Sequence, residues 1–540
     1  MDWKKVWRSI VVAACVVMLA GAPLPQIDSV TAHYAKIAKH VLESGEWITL
    51  RHPHRPGWIQ DKPPLTIWLL ALSIRLLGGG DVALRLWHLV MALALVVVTY
   101  RIARLALDEE ASLLTAVLVA TFAAVFYLSG MPQQDVPLAL FLALAFYAYL
   151  VYRREGRIRH AVLSACWLGL AVLSKGLIAP VVFGPVVGAE LLLARRRGEP
   201  GCWRWDHVAV AIAVCAVITL PWFVVGAVRQ GMPFVETFTT GDNGLARFLR
   251  PFLGERAGPR LLHGFSPLAY LALLMIGMLP WTGLLPGAAK VAWQSLGRGP
   301  APLRLCGLWG GFVFLMFALS SGDRVLRYLL PAFPALAVLG GRSLASMVDE
   351  PWRLRAAAVM SGALGIPLWA GLIWITGLEN IPLLKAYLRL AAPSLATMAL
   401  ALVAFGAATF RGRSREAVAM LAIGAVLSYA LAYGAMATGY RRLWPWPEVA
   451  EAVNRLSQKG DRVLVVGSAG AEVGFAAYEI TVPVLPAGND HEFLVAWQSG
   501  PLFGLLSPDA YARLGTRVGG TVLVRMPTGW VLITNRYCCR

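Results

Sequence analysis

Charged residues are scarce in this sequence, and acidic residues are the scarcer kind. They make up only 15% of the 540 residues, whereas 58% are hydrophobic, and the mean hydropathy is +0.63. A soluble domain of this length carries more charge and less apolar surface. The seven cysteines lie in or near apolar runs or at the tail, so they indicate no disulfide framework. This composition predicts a polytopic α-helical membrane protein.

A formal net charge of +19 raises the question of nucleic-acid binding. The Lys and Arg residues stand between apolar runs and form no basic face, so that function is not indicated. Apolar runs of roughly 17–25 residues can each cross the membrane as a helix. About 13 spans are predicted, near 6–24, 82–106, 111–128, 137–152, 161–178, 179–193, 207–228, 267–289, 304–321, 328–346, 355–376, 387–410 and 416–438.

The basic residues predict the orientation, because short basic loops stay on the cytoplasmic side. The segments "MDWKKVWR", "YRREGRIRH", "ARRRGEPGCWRW" and "RGRSRE" each follow an even number of predicted spans. This pattern predicts a cytoplasmic N-terminus and an outer location for the C-terminal region. The outer loops are then 25–81, 129–136, 229–266, 322–327 and 377–386.

The first outer loop contains a predicted interfacial helix over 32–44, with Ile37, Val41 and Leu42 on its inward face. Asp28 precedes this helix and is the only acid between the first span and Glu43. One interpretation is a helix N-cap. The other is a catalytic carboxylate at the membrane surface, where an uncompensated charge is costly.

The stretch "WIQDKPPLTIWLLALSIRLLGGG" follows in the same loop. Two prolines suit a helix start, and about fourteen residues before the glycines are too few for a confident span. We predict a re-entrant or interfacial helix that begins at Lys62. Lys62 would then meet a phosphate at headgroup level, or else it snorkels to the interface.

Further charged residues lie on the predicted outer side. Asp135 precedes Pro137 at a helix start, and Lys175 interrupts an apolar run. Arginines are concentrated in and after the long outer loop, against the positive-inside trend, and this favours an anionic ligand. They are Arg247, Arg250, Arg256, Arg260, Arg324 and Arg327, with Tyr328 adjacent.

After Tyr440 the composition changes to that of a small soluble α/β domain. "DRVLVVGSAGAEVGFAAYE" predicts a strand, a Gly-rich turn and a helix, and "TVLVRMPTGWVLITN" predicts two strands joined by "MPTG". The Gly-rich turn lacks a nucleotide fingerprint. We therefore predict a transmembrane domain at 1–440, with outer loops 25–81 and 229–266, and an outer α/β domain at 441–540.

Seven segments in order carry a family resemblance. They are "HYAKIAKHVLESGEW", "DKPPLTIWLLALSIRLLG", "QQDVPLALFLALAFYAY", "LGLAVLSKG", "GLARFLRPF", "MLPWTGLLP" and "RYLLPAFPALA". Over about 1–440 the chain resembles polyprenyl-phosphate-dependent glycosyltransferases of superfamily C. Within that group it looks like the bacterial branch of lipid A aminoarabinose transferases, which is related to protein O-mannosyltransferases.

The resemblance implies transfer of a sugar from undecaprenyl phosphate to a periplasmic acceptor, with inversion, by a multi-pass inner-membrane enzyme. It implies catalytic roles for Asp28 and Asp135 and donor phosphate binding by Lys62, Arg247 and Tyr328. The remaining candidate substrate-binding residues are Tyr34, Asp61, Arg250, Arg324 and Arg327. Val30 and Thr31 replace an Asp-Glu pair common in the family, and "DNG" replaces its Glu-His-Asn. These departures leave the acceptor open between lipid A, other lipids, polysaccharides and proteins.

Two other classes of protein are weighed against this one. A transporter needs ionisable groups near the membrane midplane and an internal repeat, and the sequence shows neither. A structural or sensor protein needs no such cluster of charges. His52 and His54 are too few for a metal site, and the resemblance requires no metal or other cofactor.

Overall fold

The computed structural model describes residues 1–24, 29–52, 60, 62–199, 204–239, 266–319, 325–363, 381–443, 446–458, 460–467, 480, 482–487 and 489–535. The helices before residue 240 are α1 (Trp3–Ala20), α2 (Ser29–Ser44), α3 (Leu65–Leu77), α4 (Asp81–Arg104), α5 (Glu109–Thr121), α6 (Ala123–Ser129), α7 (Asp135–Glu155), α8 (Ile158–Lys175), α9 (Ile178–Arg196), α10 (Trp205–Gln230) and α11 (Met232–Thr239). Those after residue 265 are α12 (Ser266–Gly277), α13 (Leu285–Arg298), α14 (Ala301–Ala318), α15 (Phe333–Val348), α16 (Ile381–Phe410), α17 (Ser414–Leu443), α18 (Trp446–Leu456), α19 (Asp490–Ser499) and α20 (Pro508–Val518). Two 3-10 segments lie at Thr282–Leu284 and Leu326–Ala332, and residues 351–363 are also helical.

Within the described ranges, eight helices are long and apolar enough to cross a membrane, or up to ten if each of two bent helix pairs is one span. The chain is a multi-pass membrane protein. The count of 13 is not confirmed. The predicted span 355–376 runs into residues outside the described part.

Two predicted spans are broken by a bend. Backbone at Phe122 turns extended, with ψ of 128°, so α5 and α6 meet at 54°. Helices α12 and α13 are bent by 117°. The two breaks touch each other, because the amide of Ala123 donates to the carbonyl of Leu279 at 2.9 Å. Breaks of this kind persist where neighbouring helices satisfy the freed backbone groups.

Helices α5 and α7 lie at the centre of the bundle, whereas α10 lies at its edge. In an apolar stretch of 18 residues within each helix, 83% of the stretch is buried in α7 and only 11% is buried in α10. Helix α15 approaches α5 closely at Gly341, where a Cβ would come within 3.0 Å of the carbonyl of Ala111. Small residues permit such close contacts between membrane helices.

The short helix predicted after the two prolines is present as α3, with 13 residues. It begins at Leu65, not at Lys62, so Pro63 and Pro64 lie just before it. It ends at Gly78, whose φ of +83° suits glycine. Lys62 therefore sits in the turn that leads into the helix, where its side chain is not tied to a helical face.

The interfacial helix predicted over 32–44 is also present and begins slightly earlier, at Ser29. Ile37 and Val41 are fully buried on its inner face, and Leu42 is partly buried. The helix packs on α3 in an apolar cluster that also contains buried side chains of α4, α8, α10 and α11, so the two helices are packed against the bundle.

The C-terminal region contains a five-stranded sheet of order β2-β1-β3-β5-β4. Its strands are β1 (Val463–Val466), β2 (Val484–Pro486), β3 (Phe503–Leu506), β4 (Thr521–Arg525) and β5 (Val531–Thr534). Strands β2, β1 and β3 run parallel, and β5 pairs antiparallel with β3 and β4. The predicted strand in "DRVLVVG" and the two strands around "MPTG" are confirmed. The helix predicted after the Gly-rich turn lies outside the described residues.

Candidate active site

A cavity of about 1010 Å³ runs between helices α7, α8, α9 and α10. One end is polar and is lined by the ends of α7 and α8, the turn before α3 and the 3-10 segment before α15. The middle is lined by apolar side chains of α8, α9 and α10. The cavity therefore joins a charged pocket to a long apolar channel.

The polar end is built around a buried ion pair. Asp135 is the first residue of α7 and Lys175 is the last residue of α8. The Lys175 ammonium contacts the Asp135 carboxylate, and their side chains are only 12% and 5% exposed. The two helices run antiparallel and pack along their length, which brings these residues together although they are 40 positions apart.

An aromatic contact and a hydrogen bond lie beside this ion pair. The Lys175 nitrogen lies 4.8 Å from the centroid of the Tyr328 ring, and that ring stacks on Phe317. Arg327 donates to the side-chain oxygen of Gln133 at 2.8 Å. The cation–π contact holds the 3-10 segment against the end of α8, and the hydrogen bond holds it against the turn just before α7.

Lys62 and Tyr34 complete the polar end. Lys62 is half-buried, and Tyr34 is buried on the inner face of α2. Both line the cavity. Pro63 packs over Gly176, where a Cβ would lie 3.7 Å from the proline ring and where φ is +84°. This close approach sets the Lys62 turn beside the end of α8.

The charges at this end are unbalanced. Among the described lining residues, Lys62, Lys175 and Arg327 are cations, and Asp135 is the one acid. Over these described residues alone, three positive charges stand against one negative charge, next to an apolar channel. Such a site suits a ligand with an anionic head and an apolar tail.

The apolar channel is kept open by small residues on α9. An added Cβ at Gly184 or Gly188 would meet nothing within 4 Å. Along α7, Asp135 and Tyr152 both line the cavity, and at about 1.5 Å per residue they are roughly 25 Å apart. The channel therefore runs through most of the depth of the hydrocarbon layer.

At the far end of the channel, Tyr149, Tyr152 and His207 line the cavity, whereas Glu190 and Arg304 lie behind them and are not among the lining residues. Tyr149 donates to Glu190 at 2.5 Å, and Arg304 donates to Glu190 at 2.6 Å. Tyr152 lies 3.0 Å from the His207 ring nitrogen. Sequence reasoning missed this end, because the residues that meet there are distant in the chain: Tyr149 and Glu190 are 41 positions apart, and Arg304 and Glu190 are 114 positions apart.

Helix α2 also carries a buried lysine. Lys36 is only 7% exposed. Burial, together with the nearby charge of Lys39, lowers the pKa of Lys36 to about 8. The charged form of Lys36 therefore lowers the free energy of unfolding at neutral pH.

The structure brings together every described candidate from the sequence. Tyr34, Lys62, Asp135, Arg327 and Tyr328 line the same cavity. Asp28, Asp61, Arg247, Arg250 and Arg324 lie outside the described residues. Gln133 was missed, although its signal is the paired glutamine before Asp135 in "MPQQDVP".

No group of three or more His, Cys, Asp or Glu residues that could hold a metal ion occurs in the described part of the chain. His33 and His52, both in the predicted first outer loop, stack with their ring centroids 5.0 Å apart. His54, the other histidine of "HPH", lies outside the described residues.

Comparisons with known proteins give a family match and several relatives. Residues 61–224 match the family model described as dolichyl-phosphate-mannose-protein mannosyltransferase. An undecaprenyl phosphate-alpha-4-amino-4-deoxy-L-arabinose arabinosyl transferase from Pseudomonas aeruginosa (strain UCBPP-PA14) is 30% identical over 58% of this chain and 54% of its own. The protein of the same description from Edwardsiella ictaluri (strain 93-146) is 26% identical over 69% of this chain and 65% of its own. The resemblance inferred from the motifs is confirmed, and the chain spans about half the length of the Pseudomonas relatives it matches.

Solved structures match over nearly the whole chain. ArnT from Cupriavidus metallidurans in the apo state superposes with a TM-score of 0.76 at 22% identity, covering 97% of each chain. ArnT from the same organism bound to undecaprenyl phosphate gives 0.77 at 21% identity, covering 99% of this chain and 98% of the other. The predicted superfamily C fold is confirmed by this likeness.

Proposed function

We propose that this chain transfers a sugar from undecaprenyl phosphate to an acceptor on the periplasmic side of the inner membrane. The observation that carries this proposal is the cavity with a cationic end and an apolar channel. A polyprenyl phosphate has the matching chemistry, with an anionic head and a long hydrocarbon tail. The activity of the similar arabinosyl transferases supports 4-amino-4-deoxy-L-arabinose as the sugar, and we propose a glycolipid such as lipid A as the acceptor.

The cations at the polar end would act on the leaving group. As the bond from the sugar C1 to the phosphate oxygen breaks, negative charge grows on the phosphate. Lys62 and Lys175, assisted by Arg247, would stabilise that charge where water is scarce, an effect often worth ~3–4 kcal/mol per donor. Tyr328 would orient the phosphate beside Lys175.

An acceptor oxygen would attack C1 from the opposite face, so the configuration inverts in one displacement. A hydroxyl acceptor loses its proton in this step, and Asp28 would receive it, a general-base role worth roughly 10²–10⁴ in rate. A phosphate acceptor is already ionised, so Asp28 would then orient it. Asp135 would act through Lys175, by holding the ammonium in place.

The membrane arrangement follows from the same proposal. The polar end of the cavity faces the periplasm, the N-terminus lies in the cytoplasm, and residues 441–540 form a periplasmic domain after the transmembrane domain 1–440. Transfer requires no metal ion, since the chemistry is done by fixed cations and a carboxylate.

A second candidate acceptor is a protein side chain. The family model that matches residues 61–224 is described by protein mannosyl transfer, which favours this alternative. A lipid acceptor would reach the site sideways from the bilayer past α2. A protein acceptor would approach from the aqueous side.

The test uses the full-length protein in proteoliposomes with undecaprenyl phosphate that carries aminoarabinose, and parallel samples contain lipid A, a polysaccharide or a protein as the acceptor. We expect release of free undecaprenyl phosphate and a matching mass increase of lipid A. Lys62→Met should raise the KM for the donor and slow transfer. Lys290→Met is the matched control, because Lys290 is exposed on α13 and is not among the lining residues.

Three outcomes would contradict the proposal in different ways. If the protein turns over no donor with lipid, polysaccharide or protein acceptors, the proposed enzymatic activity is refuted. If Lys62→Met and the wild type have the same KM for the donor, the proposed phosphate-binding role of Lys62 is refuted. Sugar found only in the protein fraction would replace the lipid acceptor by a protein.

A further inference from the structure

Arg85 is almost completely buried near the outer start of α4, with a side chain only 2% exposed. Its guanidinium does not reach into the cavity, and Arg85 is not among the lining residues. Its Nε donates to the carbonyl of Gly130 at 3.1 Å, and its Nη1 donates to the carbonyl of Leu24. The carboxylate of Asp81, one turn earlier, lies 3.5 Å from Nη1.

These carbonyls belong to two segments that lead into the candidate active site. Gly130 stands in the turn between α6 and α7, five residues before Asp135. Leu24 ends the described residues after α1 and stands four positions before Asp28 in the sequence. One planar side chain therefore ties together the approaches to both candidate catalytic acids.

A second side chain of α4 supports the same turn. His88 lies one helical turn after Arg85 and is fully buried. Its Nδ1 is 2.8 Å from the carbonyl of Ser129, and because a carbonyl only accepts, Nδ1 carries the proton. Helix α4 thus holds two consecutive carbonyls, those of Ser129 and Gly130, with two buried donors.

The two segments also share a third neighbour. The ring of Tyr433 in α17 lies against Gly21, where an added Cβ would come within 2.7 Å of the ring. The same tyrosine hydroxyl is 3.6 Å from an added Cβ at Gly130. The end of α1 and the turn before α7 therefore both pack near Tyr433, and both accept hydrogen bonds from Arg85.

We infer that Arg85 is a positioning residue for transfer, which aligns the turn carrying Gln133 and Asp135 with the first outer loop. This inference rests on the proposed function. A guanidinium suits the task because its planar fork directs two donors to two separate carbonyls. A lysine has one compact ammonium, which cannot reproduce both contacts with the same geometry.

The expected signature is a loss of rate with little loss of donor binding. Lys62 lies in the turn before α3 and Lys175 lies on α8, so both cations stay at the polar end when the turn before α7 shifts. Misplacement by about 1 Å can cost on the order of 100-fold in rate. For Arg85→Gln we expect kcat to fall by roughly 10- to 100-fold and the donor KM to change by less than about threefold. Arg85→Lys should recover part of the rate.

Arg304 provides a matched control, since it is the other fully buried arginine among the largest buried side chains. It binds the carboxylates Glu190 and Glu199 at the far end of the channel. Arg304→Gln removes a buried charge of the same size and also destabilises the fold, but it leaves the turn before α7 untouched. Folded Arg304→Gln should keep kcat within about threefold of wild type.

Hydrogen–deuterium exchange tests the positioning without relying on activity. Arg85→Gln should increase exchange in peptides that cover 126–135 and leave α14 (Ala301–Ala318) unchanged. Arg304→Gln should do the reverse. If the wild type transfers no sugar, the proposed function fails while the exchange comparison still decides whether Arg85 orders this turn.

Several results would overturn the inference. One is a kcat for Arg85→Gln equal to that of the wild type. Another is an equal loss of kcat in Arg85→Gln and Arg304→Gln. A third is hydrogen exchange over 126–135 that Arg85→Gln leaves unchanged. If Arg85→Gln does not fold, Arg85→Lys and Arg304→Lys are compared by the same criteria, and equal rates for these two variants would refute the role.

Discussion

The ion pair of Asp135 and Lys175 offers the sharpest test of how the polar end is built. Asp135→Asn keeps the size of the side chain and removes its charge. Lys175 then remains 12% exposed beside Tyr328, without the carboxylate that it contacts in the wild type. Lys62 and Arg327 line the same cavity, so the variant leaves three cations there and no acid among the described lining residues.

The structure suggests the size of the effect. Removing one partner of a buried ion pair costs about 3–5 kcal/mol of the free energy of unfolding, because the other charge stays buried. We expect a cost in this range for Asp135→Asn. Lys175→Met should cost less, since Arg327 remains near the Asp135 carboxylate, and the double variant should cost less than the sum of the two.

The assay is a double-mutant cycle of unfolding in mixed micelles, followed by tryptophan fluorescence. Sites that do not interact add within ~0.5 kcal/mol. We expect a coupling energy of about 2 kcal/mol or more for this pair. Added undecaprenyl phosphate should stabilise Asp135→Asn more than wild type, because an anion replaces the lost carboxylate and binds only the folded state.

Two results would refute this reasoning. Additive effects of Asp135→Asn and Lys175→Met would mean that the contact contributes no specific energy. An equal stabilisation of Asp135→Asn and wild type by undecaprenyl phosphate would mean that the lipid phosphate does not bind near the pair.

The remaining predictions concern charge burial, the channel and metal ions. The pKa of Lys36 is about 8 in the folded protein against 10.5 for an unperturbed lysine, so the cost of its charge is present below pH 8 and disappears as the pH rises to 10.5. Lys36→Met should therefore stabilise the protein at pH 7 by about 3 kcal/mol, and a gain that persists unchanged at about pH 10.5 would contradict this cause. Gly188→Leu should fill the channel and raise the donor KM at least tenfold, whereas Gly297→Leu, at an open position on α13, should leave this KM unchanged. Equal KM values for the two variants would mean that the donor tail does not bind in the channel. Transfer should survive EDTA, and a complete loss that added metal restores would refute metal-independent transfer.

Several features of this protein were readable from the sequence because they depend on local patterns. Apolar length predicted most spans, and two prolines and a glycine predicted the short helix α3. The turn "MPTG" between two short segments predicted the strands β4 and β5. The family motifs singled out Lys62, Asp135 and Tyr328, which the structure brings to one cavity. Asp28 and Arg247 stay predictions, because they lie outside the described residues.

Other features depended on how the helices pack. The sequence shows Lys175 in an apolar run, but only the antiparallel contact of α7 and α8 selects Asp135 as its partner. Arg327 and Gln133 are 194 positions apart and meet at 2.8 Å. The bends at Phe122 and between α12 and α13 leave no clear signal in hydropathy, since the flanking residues are equally apolar.

Arg85 illustrates the difference most clearly. Its sequence context, "DVALRLWHLV", indicates an arginine at the start of a membrane helix and nothing more. Its contacts are backbone carbonyls, which are present at every residue and carry no signal in the sequence. Local composition determined which segments enter the membrane, whereas the partners of each buried charge were decided by the tertiary structure, because a buried charge binds whichever group the packing places within reach.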